Sequence, residues 1–365
     1  MLGPPVRFVD RDYVVHAGRK LLYLGGIDYH RRSNDPEILN TLCDAARKYG
    51  ISPTGSRTTT GNHVLYLELE REVARFFESA ACAVFPSGYL SNIVLLQAVA
   101  ADFDIFFLDA VAHSSLGDAA RRFKKKMVFF NHLDAGDLDQ KLLRHVKTGS
   151  RPLIMTDGIF PARGEIAPLE DYAALAEKYD GRILIDDAHA MAVVGKTGKG
   201  SWEEKGIDRT WVYQTGTLSK GFGIFGGIIP GDRSLISAIQ EKSLAFIGAT
   251  GLPLPLAAAA IQSVRQMITD RHIIPDLQER ALALKDRFRR LGFDLPPSPA
   301  PIFSITHYDE AKNRRLGDIL LANDIYPPFI NYPGAPAGGH FRFILTSITT
   351  PAQVEQLFDA VRSSL

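Results

Sequence analysis

Cysteine is nearly absent: the 365-residue chain carries only Cys43 and Cys82. Two thiols cannot build a disulfide framework or a cysteine-based zinc cluster, which points to a reducing, cytoplasmic setting. Net charge is lacking as well, because 42 Lys+Arg face 41 Asp+Glu for a formal charge of +1. Without a global field to attract nucleic acid or anionic lipid, small-molecule substrates are the expected partners. The basic run Arg121-Arg122-Phe123-Lys124-Lys125-Lys126 reads as a solvated helix end rather than a nucleic-acid patch. No apolar stretch approaches the ~18 residues of a spanning helix, and the opening Met1-Leu2-Gly3-Pro4-Pro5-Val6-Arg7 lacks the apolar segment of a secretory signal. No membrane span is expected. Repeats and low-complexity tracts are missing too, and the remaining composition, 45% hydrophobic and 23% charged, is that of a folded globular protein.

From about Leu65 to Pro230, short apolar runs alternate with amphipathic stretches such as Leu169 to Tyr179. The runs Ile105 to Leu108, Met127 to Phe130, Leu153 to Met155, Ile183 to Ile185, Val212-Tyr213 and Gly227 to Ile229 are expected strands. This α/β alternation predicts a mostly parallel sheet covered on both faces, with a ligand at the carboxyl ends of its strands. A helix over Leu254 to Thr269 is expected to join this body to a small C-terminal α+β domain. That domain is read as a helix near Leu277 to Leu291, a strand Ile302 to Ile305, a helix near Asn313 to Leu321, a strand Phe341 to Leu345 and a helix from Pro351. The expected division is an N-terminal arm over 1–50, a large domain over 51–253, and the joining helix with the small domain over 254–365.

Four segments carry chemistry. Thr215-Gly216-Thr217-Leu218-Ser219-Lys220-Gly221-Phe222-Gly223 sets one lysine in a turn after an apolar strand. Surrounding dipoles and a cofactor's positive groups would free its amine for a Schiff base, while the hydroxyls and backbone N–H groups would suit a phosphate. A phosphate-binding or merely solvated lysine reads equally well there. Gly221-Phe222-Gly223-Ile224-Phe225-Gly226 also matches G-x-G-x-x-G, but another short strand follows instead of the helix that a dinucleotide site requires. The second segment is Ile183-Leu184-Ile185-Asp186-Asp187-Ala188-His189, a strand running into two carboxylates and an imidazole. A carboxylate facing a pyridine nitrogen keeps that ring protonated; a metal pair would need further ligands, and Asp187 could instead cap a helix. Third, Phe85-Pro86-Ser87-Gly88-Tyr89-Leu90-Ser91-Asn92 sets a small-residue turn before a helix start that offers N–H groups to an anion. Fourth, His113 follows the strand Ile105 to Leu108, where a lone histidine is commonly structural.

Together these segments resemble the pyridoxal 5′-phosphate (PLP) enzymes of fold type I, specifically the α-oxoamine synthase family. The resemblance runs in order from Gly55-Ser56-Arg57-Thr58-Thr59-Thr60-Gly61 to the C-terminus. It implies that Lys220 forms the Schiff base, Asp186 pairs with the pyridinium nitrogen, His189 bonds the ring oxygen and His113 stacks on the ring. It also implies that Ser87, Gly88, Tyr89 and Thr217 hold the phosphate, and that Thr250 reaches the phosphate of a partner subunit in a homodimer with shared sites. Arg342 in Gly339-His340-Phe341-Arg342-Phe343 would clamp an amino acid's carboxylate. The implied reaction joins an amino acid to an acyl thioester, on coenzyme A or a carrier, with Lys220 as base and loss of carbon dioxide. Two departures stand out. Asp28-Tyr29 replaces an Asn-Tyr pair near the substrate, where a carboxylate would oppose that of the substrate beside Arg342. Pro161 replaces a serine that bonds the ring oxygen. An aminotransferase of the same fold is the nearest alternative; many of those carry tyrosine at the position of His189. A non-catalytic module that keeps the fold is the other.

Overall fold

The computed structural model describes residues 3–331, 336 and 338–365. Its N-terminal stretch, whose packing partner was not legible in the sequence, forms an antiparallel sheet of β1 (Arg7–Phe8), β2 (Tyr13–His16) and β3 (Arg19–Leu22). Leu22 bridges to Ile325, and buried Leu22, Leu24 and Tyr29 share one hydrophobic core with Leu277, Phe303 and Phe343. The arm therefore packs into the C-terminal layer. The helix Pro36–Tyr49 follows, started by the Asp35 carboxylate, which accepts from the N–H groups of Glu37 and Ile38. It lies against the helix Leu254–Thr269.

The central sheet uses β4 (Ala81–Phe85), β5 (Ile105–Asp109), β6 (Lys126–Phe130) and β7 (Pro152–Asp157). A short hairpin of β8 (Ile159–Phe160) and β9 (Glu165–Ile166) leaves the sheet before β10 (Arg182–Asp186), β11 (Val212–Thr217) and β12 (Gly227–Gly231) complete it. The order is β4-β12-β11-β10-β7-β5-β6; β12 runs antiparallel to both its neighbours, and the remaining pairs are parallel. Ile183, Leu184 and Ile185 are all fully buried, the pattern of a strand covered on both faces. One cover is the helix Leu169–Lys178, which turns Leu169, Tyr172 and Ala176 inward at helical spacing. β4 was not anticipated, and β11 extends through Thr217, so the Thr-Gly-Thr segment belongs to the strand and the bend begins at Leu218.

The C-terminal part contains the helix Ile273–Arg290 and an antiparallel sheet of β13 (Ile302–Ile305), β14 (Phe329–Ile330) and β15 (His340–Ile344), ordered β13-β15-β14. The helices Glu310–Ala322 and Pro351–Arg362 accompany it; the second starts with Pro351 and a reciprocal cap between Thr350 and Gln353. Among the described residues no helix is long and apolar enough to cross a membrane.

Candidate active site

The parallel strands deliver polar residues to one edge of the sheet: Asp109 ends β5, Asp157 ends β7, Asp186 ends β10 and Thr217 ends β11. Asp186 stands in register between Asp157 and Thr215. Just beyond lies a cleft of about 170 Å³, lined by Ser87, Gly88, Tyr89, His113, Asp157, Asp186, His189, Thr217 and Lys220 among others. It brings together residues as far apart in the chain as Ser87 and Lys220.

Burial pulls the Lys220 ammonium down to about 8; Arg342 pushes the same way, and Asp186 and Asp157 pull back. Asp186 is oriented from behind: its Oδ2 accepts from Asn92 Nδ2 at 2.7 Å and Ser115 Oγ at 3.4 Å, and its Oδ1 accepts from the N–H of Ala188. Asn92 Oδ1 in turn accepts from Thr215 at 2.7 Å, and Ser115 Oγ lies 2.8 Å from His113 Nδ1. Asn92 and Ser115 were not singled out as functional, because neither has a diagnostic spacing.

Tyr29, fully buried, lies with its hydroxyl 2.6 Å from His189 Nδ1. Burial raises the phenol to about 12, so it stays protonated, and burial together with Lys220 and Arg342 holds the imidazole well below its usual range. The phenol is thus the donor, Nδ1 the acceptor, and the proton of neutral His189 resides on Nε2. His113 caps the helix Ser114–Ala120, and its own N–H reaches both oxygens of Asp157. Burial, reinforced by Asp186, pushes Asp157 well above the carboxylate range.

At the other end of the cleft, Ser87 caps the short turn Gly88–Leu90. A Cβ on Gly88 would come within 2.6 Å of the Thr217 side chain, so only glycine lets this turn meet the end of β11. Gly223 is similarly constrained: its φ is +68°, and a Cβ would meet Arg32 and Asp28. The G-x-G-x-x-G stretch is a close-packed loop.

Arg342, in β15, donates from Nε to the Pro161 carbonyl at 2.5 Å and from Nη1 to the Gly26 carbonyl at 2.9 Å. Its Nη2 is buried and without a partner among the described residues. Asp28 does not line the cleft; its carboxylate accepts from the backbone N–H groups of Arg32 at 3.0 Å and Ser33 at 2.9 Å, beside a separate hollow with Arg11 and Arg31. Local backbone donors hold its two oxygens in that position. Thr250 also lies outside the cleft, exposed and bridged to Ser56. Asp187 is a buried structural carboxylate, held by Ser201 and Gln214, and burial raises it to about 7. In the basic run, Arg121 pairs with Asp118 and Lys125 donates to the Phe103 carbonyl.

These residues fit PLP. The depressed Lys220 amine, the oriented Asp186 carboxylate, the Nε2–H of His189 and the glycine cradle at Thr217 would offer that group a nucleophile, a partner for the ring nitrogen, a donor for the ring oxygen and a phosphate seat. Comparison with known proteins agrees. Residues 24–361 match the family described as aminotransferase class I and II. The chain is 34% identical over 326 residues to a putative 8-amino-7-oxononanoate synthase of Acetivibrio thermocellus, covering 89% of this chain and 84% of that one. It is 32% identical over 348 residues to 8-amino-7-oxononanoate synthase 1 of Bacillus velezensis, covering 95% and 89%. Among solved structures, a serine palmitoyltransferase variant from S. paucimobilis with bound PLP superposes with a TM-score of 0.90 at 25% identity, over 99% of this chain and 92% of that one. The chain belongs to the aminotransferase class I and II family and, within it, to the PLP-dependent α-oxoamine synthases of fold type I.

Proposed function

We propose that this protein is a PLP-dependent C-acyltransferase that condenses an amino acid with an acyl thioester, releasing the thiol and carbon dioxide to leave an α-amino ketone. The observation that carries this reading is the meeting of Lys220 and Asp186 in one cleft, with the lysine's charge weakened by burial. Bound PLP supplies an electron sink for negative charge at the carbon bearing the amino group.

The chain's own residues do the rest. Asp186, fixed by Asn92 and Ser115, sets a negative charge where the ring nitrogen must stay protonated. His189, its tautomer set by Tyr29, presents Nε2–H to the ring oxygen, the only side-chain donor proposed there because Pro161 has no hydroxyl. His113 covers one ring face, and Ser87, Gly88, Tyr89 and Thr217 receive the phosphate. Arg342 offers its unpartnered Nη2 to the amino acid's carboxylate. Lys220, with a pKa near 8, takes a proton from the substrate carbon and later returns one. Thr250 would complete the site of a second subunit in a homodimer, and a cytoplasmic location belongs to the same reading. The division at 51–253 and 254–365 is part of the same proposal.

The products decide between this reading and transamination. Incubating the holoenzyme with single amino acids and acyl-coenzyme A should release free thiol and carbon dioxide in equal amounts. Formation of a keto acid with pyridoxamine phosphate, and no thiol, would overturn it in favour of an aminotransferase.

A further inference from the structure

A second cavity, about 760 Å³, adjoins the cleft and shares His113 and Asp157 with it. Phe160, Pro161 and Arg163 of the β8–β9 hairpin form one wall; Ser304, Thr306 and His340 face them from the C-terminal part. Two features set this cavity apart.

The first is His340. It is only 2% exposed, and neither ring nitrogen has a hydrogen-bond partner among the described residues. Residues 340 and 342 of β15 project to the same face, so this imidazole lies beside the guanidinium assigned to the amino acid's carboxylate. Burial, with Arg342 and Arg163 close by, lowers its pKa, so it is neutral and offers one donor and one acceptor. A buried polar group left unpaired is costly, and a ligand oxygen would remove that cost.

The second is that the cavity's charges are already matched. Arg163 pairs with Glu165 at 3.2 Å and Asp294 at 2.8 Å. His132 lies 3.0 Å from Asp109 and 3.5 Å from Glu165; burial opposes its charged form, yet the two carboxylates lift it to about 9. Two cations thus face three carboxylates, so a carboxylate on a ligand would enter against an excess of negative charge, and the Arg342 guanidinium beside His340 is the one assigned to the amino acid.

We propose that this cavity seats the acyl part of the thioester, and that His340 selects chains bearing an uncharged oxygen, a hydroxyl or keto group, over plain alkyl and carboxylate-ended chains. The inference rests on the condensation reading above. The cavity is more than four times the volume of the cleft, which suits an acyl chain better than the side chain of a small amino acid.

The test is calorimetric titration of the holoenzyme with non-reactive thioether analogues of acyl-coenzyme A, matched in length and ending or substituted as alkyl, hydroxy, keto or carboxylate. The hydroxy or keto analogue should bind roughly tenfold or more tightly than the other two, because a site built to hydrogen-bond an oxygen rejects chains lacking it. His340→Leu should compress the series to within about threefold, and His340→Gln should restore part of the preference. Tightest binding of the alkyl or carboxylate analogue by the wild type, an unchanged preference in His340→Leu, or no binding of any analogue would overturn the proposal. Should His340→Leu fail to fold, the wild-type ranking and His340→Gln decide. Turnover of the matching thioesters is read separately: selective binding without thiol release would count against the condensation reading alone, and release without oxygen preference against this inference alone.

Discussion

The cofactor cleft and the cavity beside it share a wall but treat charge in opposite ways. In the cleft, Lys220 is stripped of water, and Arg342, close enough to depress the lysine though not part of the lining, keeps a buried donor unpartnered among the described residues. In the cavity, Arg163 and His132 are each paired with two carboxylates, and among the described residues the groups without a hydrogen-bond partner are the neutral imidazole of His340 and the Nε of Arg163. Open charge suits chemistry on ionic groups, whereas matched charge with a neutral orphan suits recognition of an uncharged chain.

The strongest challenge to this contrast removes the cleft's fixed negative charge. Asp186→Asn should lower kcat by about 10²- to 10³-fold, since a neutral amide no longer holds the ring nitrogen protonated; steady-state kinetics at saturating substrate reads it. Next in size is Arg342→Lys. Loss of the planar fork should raise the KM for the amino acid by roughly 10- to 100-fold while leaving binding of acyl thioether analogues unchanged. An equal change in both would mean that cleft and cavity are one compartment.

How much of this was legible in the sequence depends on the range of the contacts. Lys220, Asp186 and His189 could be found because each sits directly after an apolar run that forms a strand, and strand ends are where this architecture places its ligands. The bond from Tyr29 to His189 spans 160 positions and that from Arg342 to Pro161 spans 181, and no local pattern encodes either. Asp28 adjoins Tyr29 in sequence, yet its side chain turns back to the N–H groups of Arg32 and Ser33, which adjacency alone does not reveal. β4 escaped notice because Ala81-Cys82-Ala83-Val84-Phe85 is short and rich in small residues; its burial comes from pairing with β12, far along the chain. The cavity at His340 arises only where the β8–β9 hairpin meets β13 and β15, and neither half suggests it alone.

A smaller effect tests the state of the lysine itself. In protein freed of cofactor, only the neutral amine captures added PLP, so the capture rate should rise about tenfold per pH unit below 8 and level off above it. A rise continuing to the usual lysine value would mean that the cleft does not desolvate Lys220. The smallest expected effect is that of Tyr29→Phe. Without the phenol, His189 is free to exchange tautomers, and kcat should fall about three- to tenfold with the KM for the thioester unchanged.

The decisive measurement is chemical trapping. The holoenzyme, reduced with borohydride, digested and read by mass spectrometry, should carry the cofactor's mass on the peptide containing Lys220 and on no other lysine, and Lys220→Ala should carry none. Cofactor found on a different lysine, or retained covalently by Lys220→Ala, would contradict the assignment of this cleft.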